Sequence, residues 1–221
     1  MASKNASLPK YTLAEELLSS ISHGLGALLS VAALVVGVVF AALYNDAWAV
    51  VSVSIYGATL ILLYSMSTIY HGLAPNSGKR VFQIIDHCSI FLLIAGTYTP
   101  ITLVTLRLQN PYVGWGLFGV VWAAAILGIV LNAVDLKRFA KFSMICYIAM
   151  GWVVVFAFPL LIQGMKAPGV WLMVAGGLAY TLGAVLYGVG KKVKYIHSVW
   201  HFFVLAGSVL HYFSVLLYIV R

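Results

Sequence analysis

The sequence predicts an all-α membrane protein: one bundle of seven transmembrane helices, N-terminus in the cytoplasm and C-terminus outside. Three observations lead there. The 221-residue chain is 63% hydrophobic and 8% charged, whereas soluble domains carry roughly 25% charged residues, so a water-soluble fold would have too little polar surface to cover it. Its apolar runs recur at about the 20-residue length that crosses a bilayer. Its Lys and Arg residues collect in alternate connections between those runs, the asymmetry that orients helical membrane proteins.

The spans are expected near 18–43, 48–71, 83–106, 112–132, 142–162, 169–189 and 195–220. Asn45 and Asp46 part the first two, and the run from Pro75 to Arg80 ends the second. Gln109, Asn110 and Pro111 divide the third from the fourth. The stretches Asp135 to Lys141, Gln163 to Pro168 and Gly190 to Lys194 make the remaining breaks, all rich in turn formers or charge. Residues 1–17 form a polar cytoplasmic tail and 18–221 a single transmembrane domain. Glu15 and Glu16 stand between the basic tail and a first run too long for a signal-peptide core, so that span is expected to be retained.

One side of the bundle holds Lys4, Lys10, Lys79, Arg80, Lys137, Arg138, Lys141, Lys191, Lys192 and Lys194; the other holds Arg107, Lys166 and Arg221. The richer side is cytoplasmic by the positive-inside rule. The net charge of +8 is spread over short loops rather than one face. It therefore points to membrane lipids as partners and not to nucleic acid. Cys88 and Cys146 offer no disulfide framework. No lysine falls inside a span, which excludes a retinal-type Schiff base.

This topology brings distant polar residues to one depth. Ser67 and His71 end the second span, Asp86 opens the third, and His197 and His201 open the seventh, all at the cytoplasmic end. Ionisable groups are costly within a bilayer, so several at one depth mark a site. Residues four apart share a helix face, which lets His197 and His201 hold one ion together. Three imidazoles leave a fourth position open, the pattern of a catalytic Zn2+ site, where the metal activates water and polarises a carbonyl. Asp86 is the candidate to take the proton from that water, and Ser67 to donate to the water, to Asp86 or to a developing oxyanion. Hydrolysis of a lipid amide or ester fits such a site.

Plainer readings stand beside these. A lone HxxxH in a membrane helix commonly serves interhelical hydrogen bonding, and membrane-helix serines usually bond their own i−4 carbonyl. His87 points about 100° from Asp86 and reads as packing or a hydrogen bond. His23 and Glu16 share a face of the first span, as a pair supporting the site or as interfacial anchors. His211, about 15 Å deeper than His201, reads as a core hydrogen bond.

The segments Glu15-Glu16, Ser22-His23-Gly24, Ser67 to His71, Phe82 to His87, Ala95 to Pro100, Ala149 to Trp152 and His197 to His201 occur in order along nearly the whole chain. In them the chain resembles the hemolysin III-like branch of the progestin and adipoQ receptor group of seven-helix membrane proteins, and the likeness to its bacterial members implies a multi-pass place in the bacterial inner (plasma) membrane. The resemblance implies zinc held by His71, His197 and His201, with Asp86 holding the zinc-bound water and Ser67 matching the second-helix serine. The wider superfamily includes alkaline ceramidases, so a ceramidase-like lipid amidohydrolase is one implied activity, and a zinc-dependent sensor of membrane state another. No extended N-terminal segment like that of the adiponectin receptors is read before the first span, so hormone-receptor activity is not among the expectations. The alternatives are a pore-forming or cytolytic protein, which the near absence of polar stripes on the spans disfavours, and a membrane-homeostasis protein with structural zinc.

Overall fold

Side chains in the breaks between apolar runs supply the caps that start the helices. In the computed structural model, which describes residues 8, 9, 11–190 and 193–221, α1 spans Leu13–Tyr44 behind a capping box. Thr12 accepts from the Glu15 backbone, and Glu15 accepts from the Thr12 backbone. That box starts the helix at Leu13 rather than near 18. Asp46 caps α2 (Ala47–Gly72) through the Ala49 N–H, and Asn76 caps α3 through the Lys79 N–H. Asn110 caps α4 with Pro111 at its first position, where a missing N–H costs nothing.

Helix α3 runs over Ser77–Gln109, widening to a π-helical turn at Ile101–Leu106 just after Pro100, whose missing N–H breaks the regular ladder. Helix α4 covers Pro111–Gly164, α5 Ala167–Gly190 and α6 Ile196–Val220. Six helices among the described residues are thus long and apolar enough to cross a membrane. Lys4, Lys10, Lys191 and Lys192, counted in the charge asymmetry, lie outside the described residues.

The 54-residue α4 folds back on itself. Asp135 has extended backbone angles (φ −157°, ψ 93°), and its carboxylate caps the helical stretch beyond it by accepting from the N–H groups of Lys137 and Arg138. Ser143 Oγ donates to Asn132 Oδ1 at 2.6 Å, and Asn132 Nδ2 donates to the Tyr147 hydroxyl. Eleven residues of straight helix would hold Asn132 and Ser143 about 16 Å apart, so the two limbs, 111–134 and 136–164, lie antiparallel. The break expected over Asp135 to Lys141 is one residue wide, because the aspartate caps the second limb at once.

The helices close a ring. α1 packs on α2, α2 on α3, α3 on α4, α4 on α5, α5 on α6, and α6 returns to α1. α3 is the central helix: its most apolar stretch is 83% buried, against 22% for α1. Small residues permit the close approaches. A Cβ at Gly96 would overlap the Thr59 side chain, and one at Gly128 would overlap the Phe91 ring. The exposed side of the ring carries Leu28, Val35, Val120, Ile126 and Val185, the composition of a lipid-facing surface.

Candidate metal centre

The ring brings the first turns of α1, α3 and α6 and the last turn of α2 to one end of the bundle. The opposite end gathers Asn45, whose amide donates to the carbonyls of Ile219 and Val220, and Asp46, 3.8 Å from Arg107. At the first end, His71, His197 and His201 are all buried, and each offers one ring nitrogen such that these atoms lie within 4.8 Å of one another. His197 Nε2 and His201 Nε2 are 3.3 Å apart. Two nitrogens at about 2.0–2.1 Å from one tetrahedral zinc are separated by about 3.3–3.4 Å, so the α6 pair already has the spacing of two ligands on one ion.

His71 is prepared differently. Its Nδ1 lies 2.6 Å from Glu16 Oε2, and its Nε2 is buried with no hydrogen-bond partner. Because an ionised carboxylate can only accept, the ring proton sits on Nδ1 and the Nε2 lone pair is left for a guest. An orphaned acceptor beside two imidazole nitrogens fits a metal cation. The three residues can hold one.

Asp86 is buried, with Oδ2 3.6 Å from His87 Nδ1. Ser67 faces its carboxylate. Unlike neighbouring Thr68, which donates to its i−4 carbonyl at 2.7 Å, Ser67 Oγ is buried and makes no bond to its own helix; the acceptor beside it is the Asp86 carboxylate. Asp86 and His197 share the wall of a cavity of about 840 Å³, whose lining also includes Tyr11, Arg80, Trp152, Tyr180 and His211. That size lies within the range of small-molecule sites, roughly 300–1,000 Å³.

The other polar candidates take separate roles. His87 donates from Nδ1 to the Gln83 carbonyl at 2.8 Å and accepts at Nε2 from the Tyr187 hydroxyl at 3.2 Å, the hydrogen-bonding role expected of it. His211 donates from Nε2 to the Met173 carbonyl at 2.9 Å. His23 and Glu16 do not pair. Glu16 turns to His71 and Lys79, whereas the His23 ring lies 3.9 Å from the His201 ring and edge-on to Tyr64.

Two features escape a reading of the sequence. Tyr11 stacks on His197, ring centroids 4.5 Å apart and 18° from parallel, and burial holds its phenol above the ordinary range, hence protonated. Tyr195 takes a left-handed φ of 65° to start α6, and its N–H donates to Glu15 Oε1 at 2.7 Å. The second glutamate of the Glu15-Glu16 pair faces His71 while the first holds the start of α6; only the acidic doublet before the first apolar run signals either.

Comparison with known proteins places this architecture. The "Haemolysin-III related" family matches residues 11–212. Hemolysin-3 of Bacillus cereus is 41% identical over 205 residues, covering 93% of this chain and 92% of its own. The Hemolysin-3 homolog of Bacillus subtilis (strain 168) is 40% identical over 211 residues, covering 96% and 97%. Monocyte to macrophage differentiation factor of Homo sapiens is 26% identical over 204 residues, covering 88% of this chain and 82% of its own. No solved structure matches the chain. With its apolar helices and its match along almost the whole length, the chain is a multi-pass bacterial membrane protein and belongs to the Haemolysin-III related family.

Proposed function

We propose that this chain is a zinc-dependent hydrolase of an amide or ester bond in a membrane lipid, built as seven spans in the bacterial inner membrane with its N-terminus in the cytoplasm and its C-terminus outside. The fold-back at Asp135 supports the seventh span, since each limb of α4 is long enough for one crossing. The observation that carries the catalytic reading is the convergence of three buried imidazole nitrogens within 4.8 Å, with His197 on the same cavity wall as the buried Asp86.

His71, His197 and His201 would hold the zinc, which supplies Lewis-acid polarisation of a carbonyl and activation of water near neutral pH. Asp86 takes the proton of the attacking water on its carboxylate and returns it to the leaving amine or alcohol. Ser67 Oγ, with no other partner, donates to the Asp86 carboxylate or to the oxygen that gains charge. The cavity holds the apolar part of the lipid along Trp152 and Tyr180 and keeps bulk water away from the reacting bond.

A structural zinc is the second reading, favoured by one observation: the candidate ligands lie on α2 and α6, next to α1, where the ring of helices closes. Metal analysis of detergent-purified protein, together with turnover of lipid amides and esters, separates the two. The hydrolase reading expects about one zinc per chain, lost in His197→Ala/His201→Ala, with Asp86→Asn keeping the metal and losing turnover. An Asp86→Asn protein as active as wild type would sink it, and folded wild type without metal after zinc addition would remove both readings.

A further inference from the structure

We infer that Glu16 is the positioning residue that sets His71 for metal binding, and that Lys79 holds Glu16 in place for that task. The inference rests on the three-histidine group being a metal site. Of its members, only His71 stands alone on its helix. His197 and His201 are brought together by the period of α6, whereas the ring orientation of His71 has to be fixed by a contact outside α2.

Glu16 makes that contact, and it is held from both sides. One carboxylate oxygen accepts from His71 Nδ1 at 2.6 Å and the other from Lys79 Nζ at 2.7 Å. Rotating the carboxylate therefore breaks two charge-assisted bonds together. Lys79 is only 2% exposed, so its ammonium does not reach out to water as a lysine near a helix end commonly does. It donates instead to the Leu73 carbonyl at 2.8 Å. Leu73 caps the C-terminus of α2 two residues past His71. The backbone N–H of Lys79 is meanwhile held by Asn76 at 2.8 Å.

The ends of three helices thus meet on one carboxylate: α1 brings Glu16, α2 brings His71, and α3 brings Lys79, which also ties back to the Leu73 carbonyl at the end of α2. A buried ion pair is a costly way to join helices when apolar packing would serve. What apolar packing cannot do is keep the proton on Nδ1 and the Nε2 lone pair turned toward the two α6 imidazoles. Carboxylates behind metal-bound histidines perform this task, and their loss typically lowers metal affinity 10- to 100-fold. A clamp that served folding alone would change stability without changing metal affinity.

The test is metal affinity of the full chain in detergent, stripped with a chelator and titrated with Co2+, whose visible absorption reports coordination, and with Zn2+ by competition. Thermal stability of the metal-free protein is measured in parallel. Glu16→Ala is expected to bind both metals about 10- to 100-fold more weakly, and Lys79→Met is expected to weaken binding less. Glu16→Gln, whose amide oxygen still accepts from Nδ1–H, is expected to recover part of the loss. Wild-type affinity in Glu16→Ala overturns the inference, whatever its stability. Should Glu16→Ala not fold, Glu16→Gln decides: weaker binding than wild type supports the inference and equal binding overturns it. Wild type that binds neither metal overturns the metal site itself, and a loss confined to the Glu16 and Lys79 variants cannot be mistaken for that.

Discussion

The Tyr11 ring lies flat against the His197 imidazole, centroids 4.5 Å apart, and both line the cavity. A residue two positions before the first helix thus covers a candidate ligand from the last. An aromatic contact of this kind is worth about 0.5–1.5 kcal/mol. Tyr11→Ala is therefore expected to release bound zinc to a chelator about two- to tenfold faster, and Tyr11→Phe to stay close to wild type. Stopped-flow chelation checks both, and an unchanged rate in Tyr11→Ala would show that the ring does not cover the exit path.

The fold-back in α4 rests on a fully buried Asn132, which accepts from Ser143 Oγ and donates to the Tyr147 hydroxyl. Asn132→Leu strands the Ser143 hydroxyl in an apolar surround. Its expected cost is about 1–2 kcal/mol, between the penalty for a buried unsatisfied group and the smaller values measured inside membranes. Thermal unfolding in detergent measures it. A variant as stable as wild type would mean that the Asp135 cap sets the turn without Asn132.

Seven crossings put the two termini on opposite sides, and six would put them on the same side. A C-terminal alkaline phosphatase fusion, active only outside the cytoplasm, is therefore expected to be active, and a fluorescent protein at the N-terminus to be bright. An inactive C-terminal phosphatase beside a bright N-terminal reporter would reduce the fold-back limbs to a single crossing.

Much of this molecule can be read before any coordinates, for a physical reason. Bilayer thickness forces long apolar runs, so helix positions are written in composition, and α2, expected at 48–71, spans Ala47–Gly72. The pairing of His197 and His201 is legible from helix period, since they sit four apart, and shared depth makes His71 a possible third; only the packing of the helices brings it to them. The partner of Glu16 is not legible. Its face on α1 points to His23, and only the packing of α1 on α2 shows that the carboxylate reaches across to His71. The burial of Lys79 is equally hidden, because a lysine in a loop next to Asn76 and Gly78 reads as solvated charge. Ser67 goes the other way: local hydrogen bonding predicts a tie to its own helix, and the structure instead sets its hydroxyl beside Asp86.

Because the site takes His71 from the second helix and His197 and His201 from the last, it does not exist while the chain is being made. A ribosome has to complete almost the entire protein before two of the three imidazoles emerge. Until then His71 can engage Glu16 and Lys79 but meets no second ligand. Any metal these imidazoles hold would consequently be captured only at the end of biogenesis, and a chain cut short anywhere before α6 carries His71 without its two companions.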